Sequence, residues 1–190
     1  MRHLFLIGLL VFAGMLSAQE FQLGSKVSDF SIRDVAGNPM SFHSLQGDVT
    51  VVTFIATQCP VSNAYNGRMN ALYKDYAGRG VKFVFINPNA TEPAAEVAGH
   101  AQANFSFAVY KDSDNVVADR FGAQVTPEAF VIDRTGTIRY HGSIDDSQNE
   151  GRIQVRGLRQ ALDAVLAGKS VETAQTKAFG CTIKKARKTT

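Results

Sequence analysis

Residues 49–63 read VTVVTFIATQCPVSN. The first eight are β-branched or apolar on both alternating faces, which predicts a strand buried on both sides of a sheet. Cys59 and Pro60 follow. Pro60 suits the first turn of a helix, where its missing N–H leaves no bond unmade. The stretch therefore predicts a buried strand that hands over to a helix, with Cys59 at the junction. A thiol there meets the unpaired N–H groups and the positive end of the helix, which favours the thiolate, the reactive form. The same position also suits a small buried hydrophobe, and the stretch alone leaves both readings open.

Outward from this stretch, strands and helices alternate. Toward the N-terminus, residues 19–30 read as an extended lead-in. Gly37, Asn38 and Pro39 make a turn between two short strand-like pieces, and HSLQGD reads as a helical turn and loop. After Pro60, the spacing of Ala64, Met69, Leu72 and Tyr76 predicts one continuous helix ended by Gly78 or Gly80. VKFVFINPN is a second buried strand, residues 92–103 a helix with a Glu-Pro start, FAVYKD a third strand, and NVVADRFGA a short helix ended by Gly122. AFVID and TIRYHG flank a turn and predict a hairpin. RIQVRGLRQALDAVLAGK places Val155, Leu158, Ala161, Leu162, Val165 and Leu166 at helical spacing, with Gly168 as the stop. The alternation predicts an α/β domain with helices on both faces of a mostly parallel sheet and an antiparallel edge from the hairpin.

The chain has 190 residues, 45% of them hydrophobic and 19% charged, enough for one domain with a sizeable core. Residues 1–18 carry a positive start at Arg2 and His3, an apolar run over residues 4–16, and small residues Ser17 and Ala18. This is the pattern of a secretory signal peptide, cleaved near Ala18. The run is short for a membrane span, so membrane association is expected only if the segment stays uncleaved. Residues 19–168 read as the domain and residues 169–190 as a tail carrying Cys181. Export, to periplasm or medium, implies an oxidising setting in which the two cysteines can pair. Without residues 1–18, 19 basic residues face 17 acidic ones, a balance that points to neither nucleic acid nor anionic membranes. The basic end KKARKTT reads as a frayed, solvated terminus.

Pro127, directly before the apolar run of VTPEAFVID, cannot donate to a sheet ladder and belongs at a strand start. With FIATQCP, this segment resembles the thioredoxin-like redoxins, which include the alkyl hydroperoxide reductase/thiol-specific antioxidant family. The resemblance spans about residues 21–168. YHGSIDDS, LRQALDAVLAGKSV and FGCTIKK extend it to a peroxiredoxin-like subgroup with a terminal Gly-Cys-x-Ile-Lys segment. The resemblance implies a thioredoxin-like fold with a central mixed sheet. It implies that Cys59 is the nucleophile, with Pro60 and Ser62 beside it, and that Thr126 and cis Pro127 form a docking loop facing it. The departures are specific. Ser62 stands where thioredoxins have their second cysteine, Thr53 where they have a buried acid and Gln58 where they have an aromatic residue. Ala56 and Val52 stand where peroxiredoxins have Thr or Ser and Pro.

A lone active-site cysteine needs a thiol to release it from a mixed disulfide or sulfenic acid. Cys181 is the one candidate in the chain, as a reversible resolving partner carried on a swinging tail; a permanent structural disulfide, or cysteines that never meet, are the alternatives. The expected activity is thiol–disulfide oxidoreduction on protein or small-molecule disulfides, with an unknown reductase. A thiol-dependent peroxidase is the enzymatic alternative and a binding or metal-carrying module the non-enzymatic one. No phosphate loop or dinucleotide fingerprint is present, so no cofactor is expected. A Cys59/His141 metal pair lacks the nearby second cysteine of copper carriers, so no metal is expected. Ser62 either bonds the Cys59 thiolate or caps the helix. Arg68 and Arg120 read as solvated, with positive potential near the thiolate as the alternative. Asp145 and Asp146 read as a loop or helix cap. Asn89-Ala-Thr and Asn104-Phe-Ser are glycosylation patterns if the source glycosylates exported proteins.

Overall fold

The computed structural model describes residues 21–187. The proposed signal segment, residues 1–18, and the last three residues lie outside them. Among the described residues a seven-stranded sheet forms the centre. In chain order its strands are β1 (Ser31–Asp34), β2 (Pro39–Ser41), β3 (Val49–Phe54), β4 (Val81–Asn87), β5 (Val109–Lys111), β7 (Glu128–Ile132) and β8 (Ile138–Gly142). Their spatial order is β2-β1-β5-β4-β3-β7-β8. The helices are α1 (Phe42–Leu45), α2 (Pro60–Ala64), α3 (Asn66–Tyr76), α4 (Ala94–Asn104), α5 (Val116–Phe121) and α6 (Gly157–Leu166). A two-stranded ribbon pairs β6 (Val125–Thr126) with β9 (Cys181–Thr182).

β3 lies in the middle and is buried along its whole length, as its two-sided apolar pattern requires. Val49 and Val51 face one layer with Phe85, Val131 and the buried residues of α3 and α6. Val52 and Phe54 face the other with Ile86, Phe130, Phe42 of α1 and Phe121 of α5. This is the expected α/β, thioredoxin-like architecture with helices on both faces. The strand directions differ from the expected mostly parallel sheet. β3 runs parallel to β4 and β4 to β5, but β1 pairs antiparallel with β2 and β5, and β7 antiparallel with β3 and β8. A strand–helix alternation does not reveal that the closing hairpin docks beside the central strand, nor that the first strand inserts antiparallel between β5 and the edge strand β2.

Two helices depart from their expected bounds. The predicted helix after Pro60 is two, broken at Tyr65, whose N–H bonds the Ser62 carbonyl in a tightened turn at 3.0 Å. The last helix starts at Gly157 rather than near residue 152. Residues 150–152 form a separate turn in which the Asn149 side chain accepts from Gly151 N at 3.0 Å. Asp146 then holds the following segment extended, accepting from Gln154 N at 3.0 Å and donating its own N–H to Val155 O at 3.1 Å. Val155, assigned to the core face by periodicity, is 39% exposed.

The tail is docked. Residues 174–176 run beside the edge strand β8: His141 N donates to Ala174 O and Thr176 N to His141 O, both at 3.0 Å. Gly142 permits this approach, because a Cβ there would collide with Thr176. Phe179 then packs edge-on against Tyr65, and β9 follows. The expectation of a frayed basic end fails through Ala186: Lys184 and Ala186 are bound through their main chain, and Lys185 pairs with Asp119.

Candidate active site

Cys59 is the N-cap of α2, with φ −91° and ψ 115°, and Pro60 is the first helical residue. Its sulfur accepts a hydrogen bond from Ser62 N at 3.3 Å and lies 3.6 Å from the Thr126 carbonyl oxygen. Cys59 is 3% exposed. It is disulfide-bonded to partly buried Cys181, with the two Cα atoms 5.9 Å apart, ordinary disulfide spacing.

Thr126 sits across from Cys181 in the β6–β9 ribbon, and the Thr126–Pro127 peptide is cis. The five predicted positions Cys59, Pro60, Ser62, Thr126 and Pro127 thus meet Cys181 at one place. Ser62 reaches the sulfur through its main-chain N–H, not its hydroxyl, which accepts from Ala56 N at 3.1 Å. Among the described residues the buried Thr126 hydroxyl has no hydrogen-bond partner. Gly180 lies so close to Thr126 that a Cβ on it would overlap the Thr126 carbonyl. In the reduced protein the Ser62 N–H would favour a Cys59 thiolate, while the Thr126 carbonyl would accept from the thiol and favour the protonated form.

The remaining predicted residues lie elsewhere or act differently. Arg68 is buried and forms an ion pair with buried Asp145 at 2.8 Å, so neither is the solvated face or simple loop cap that the sequence suggested. Tyr65 donates to the same carboxylate at 2.8 Å, and the Arg68 guanidinium lies 3.8 Å from the Tyr65 ring centroid. Burial and the Asp145 carboxylate push the Tyr65 hydroxyl well above its ordinary pKa of 10.0. Arg120 stacks on Phe21 at 4.4 Å and donates to Ser28, away from Cys59. His141 shares a 2.5 Å hydrogen bond with Glu128, whose other oxygen accepts from Gln124 N and Val125 N and so fixes the segment before the cis bond.

A buried polar cluster beside the site was not foreseen. The Glu92 carboxylate accepts from Thr57 N at 2.8 Å and Gln58 N at 3.2 Å, the two residues before Cys59. It also accepts from Asn87 Nδ2 at 2.5 Å and Asn89 Nδ2 at 2.8 Å. Burial raises its pKa, but these donors outweigh burial and hold it below the ordinary 4.5. Lys111 Nζ donates to Asn87 Oδ1 at 2.9 Å and to Asn89 O at 2.6 Å, and burial lowers its pKa. The sequence signal was two asparagines closing a strand that is apolar from Phe83 to Ile86. Asn89 is buried with both ends of its amide bonded, so it is no glycosylation acceptor in the folded chain.

The thiol-disulfide oxidoreductase ResA of a Bacillus cereus strain is 24% identical over 151 residues, covering 78% of this chain and 87% of its own. Among solved structures, a hypothetical protein from Sinorhizobium meliloti 1021 matches with TM-score 0.80 and 33% identity, over 88% of this chain and 97% of its own. An uncharacterized conserved protein from Geobacillus kaustophilus matches with TM-score 0.81 and 30% identity, over 90% and 95%. Residues 23–141, more than half of the chain, match the AhpC/TSA family, and the chain belongs to that family.

Proposed function

We propose that this protein is a thiol–disulfide oxidoreductase that cycles between the Cys59–Cys181 disulfide and the dithiol. The observation that carries this reading is the disulfide itself, formed by a helix-capping sulfur beside the Thr126–Pro127 turn. The similarity of the chain to a relative named for this activity supports it. Cys59 is the nucleophile and Cys181 the resolving thiol; Pro60, Ser62, Thr126 and Pro127 shape the docking surface. In the reducing direction the Cys59 thiolate attacks one sulfur of a protein or small-molecule disulfide and expels the other as a thiolate. Cys181 then attacks the Cys59 sulfur of the mixed disulfide and expels the second thiolate. Two electrons pass to the substrate, and an external thiol reductant restores the dithiol. Residues 1–18 serve as the export signal, residues 19–168 as the domain and residues 169–190 as the tail; N-terminal sequencing of the exported protein checks the cleavage near Ala18.

The test is the rate of iodoacetamide alkylation of Cys59 against pH in reduced Cys181→Ser protein. The reading expects a midpoint below the ordinary cysteine value of about 8.5, and a midpoint at or above it overturns the reading. Thiol-dependent loss of hydrogen peroxide in the parent, abolished in Cys59→Ser, would assign a peroxidase instead.

A further inference from the structure

The two sulfur-bearing segments are joined a second time, without sulfur. The Asn89 side chain lies between them. Its Nδ2 donates to Glu92, which holds the N–H groups of Thr57 and Gln58 just before Cys59. Its Oδ1 accepts from Lys184 N at 2.8 Å, three residues after Cys181, and Ala90 N donates back to Lys184 O at 2.8 Å. Two further main-chain bonds continue the track. Ile183 N donates to Gln124 O at 3.0 Å, and Ala186 N to Asn115 Oδ1 at 2.7 Å. The loop that presents Asn89 is itself held from two sides, by Lys111 on the Asn89 carbonyl and by Asn115 Nδ2 on the Pro88 carbonyl at 2.5 Å. Ile183 is buried in the core layer that contains Phe121 and Phe130.

These contacts need no disulfide. Asn89, Glu92 and Asn115, which anchor them, are buried, where breaking a bond leaves an unmet donor or acceptor, while Lys184, Ala90 and Gln124 are exposed and Ala186 is half-buried. We infer that Asn89, set by Glu92, is a positioning residue that keeps the Cys181 strand seated beside Cys59 when the disulfide is open. The seated strand converts ring closure into a reaction between neighbours at high effective concentration. The inference rests on the disulfide-exchange reading only for the use of that closure in a catalytic cycle.

Amide hydrogen exchange on the full wild-type chain tests it. The Lys184 and Ala186 amides keep their protection in the reduced protein; exchange at the rate of unstructured chain on reduction overturns the inference. Equilibration with glutathione adds a readout specific to positioning. Oxidation of the dithiol by one glutathione disulfide yields the Cys59–Cys181 disulfide and two glutathione thiols, two electrons leaving the protein sulfurs. Asn89→Ala lowers the equilibrium constant for this closure by up to about tenfold, the size expected from losing the bond to Lys184 N, the one of its two side-chain bonds that reaches the Cys181 strand. In the Cys181→Ser background the same substitution leaves the midpoint pH of Cys59 alkylation unchanged. An unchanged closure constant, or an equal change in both quantities, overturns the assignment. A Cys59 pKa of about 8.5 with protection retained would sink the exchange reading and leave the seated strand standing.

Discussion

At the scale of single residues, the site depends on groups that hold main chain rather than groups that touch sulfur. Glu92 shows this best. Its folded pKa lies below its unfolded one, so the stability it contributes is fully present above about pH 4.5 and is lost as the pH falls through the lower folded value. Glu92→Gln should cost about 1–3 kcal/mol at neutral pH, since an amide cannot accept from all four donors. It should also flatten the acid limb of a urea-denaturation pH profile. An acid limb as steep in the variant as in the parent would remove Glu92 from that role. Cys59 stood out in the sequence because FIATQCP, taken together with VTPEAFVID, resembles the thioredoxin-like redoxins; the strand–Cys–Pro order alone suited a small buried hydrophobe equally well. Glu92 did not stand out, because a Glu-Pro pair before a helix reads as a helix start. Its carboxylate instead turns back to the loop that carries Cys59, a partnership across 35 positions that no local pattern encodes.

Among the elements, the join between α2 and α3 and the β6–β9 ribbon set the geometry around the disulfide. Tyr65 breaks the helix and, with Arg68, grips Asp145 across the packing interface. Arg68→Ala strands a buried carboxylate and should cost about 3–5 kcal/mol by thermal or urea unfolding. Adding Asp145→Asn should recover part of that loss; a surface ion pair would show less than about 1 kcal/mol in either variant. On the ribbon, Gly180→Ala drives a methyl group into the Thr126 carbonyl. It should destabilise the oxidised protein by about 1–3 kcal/mol, while the same change at exposed Gly78, which has open space around it, should cost far less. The buried strands were readable from composition, because a strand covered on both faces must be apolar throughout. The two-residue ribbon was not: β6 and β9 are too short to carry periodicity, and their pairing joins positions more than fifty residues apart.

Over the whole molecule, the disulfide closes a loop of 122 residues, most of the domain. In the chain-entropy account such a closure restrains the unfolded chain and stabilises the fold by about 5 kcal/mol. Urea midpoints with and without reductant, at equal slope, measure that difference. A difference under about 1 kcal/mol would show that the reduced unfolded chain is already restrained or that the closed form carries compensating strain. The mixed direction of the sheet belongs to this scale as well. Helices and strands could be placed one by one, but the docking of the closing hairpin beside β3 depends on which buried face it completes, and that is decided by the assembled core.

The docked basic end has a consequence for enzymes that digest proteins. A trypsin-like protease must draw several residues on either side of a lysine into its own cleft as extended chain. Here the N–H and carbonyl of Lys184 are already engaged by Asn89 and Ala90. Cleavage after Lys184 must wait for that stretch to lift, so the nicking rate counts how often it lifts, in either redox state, without any label on the sulfur.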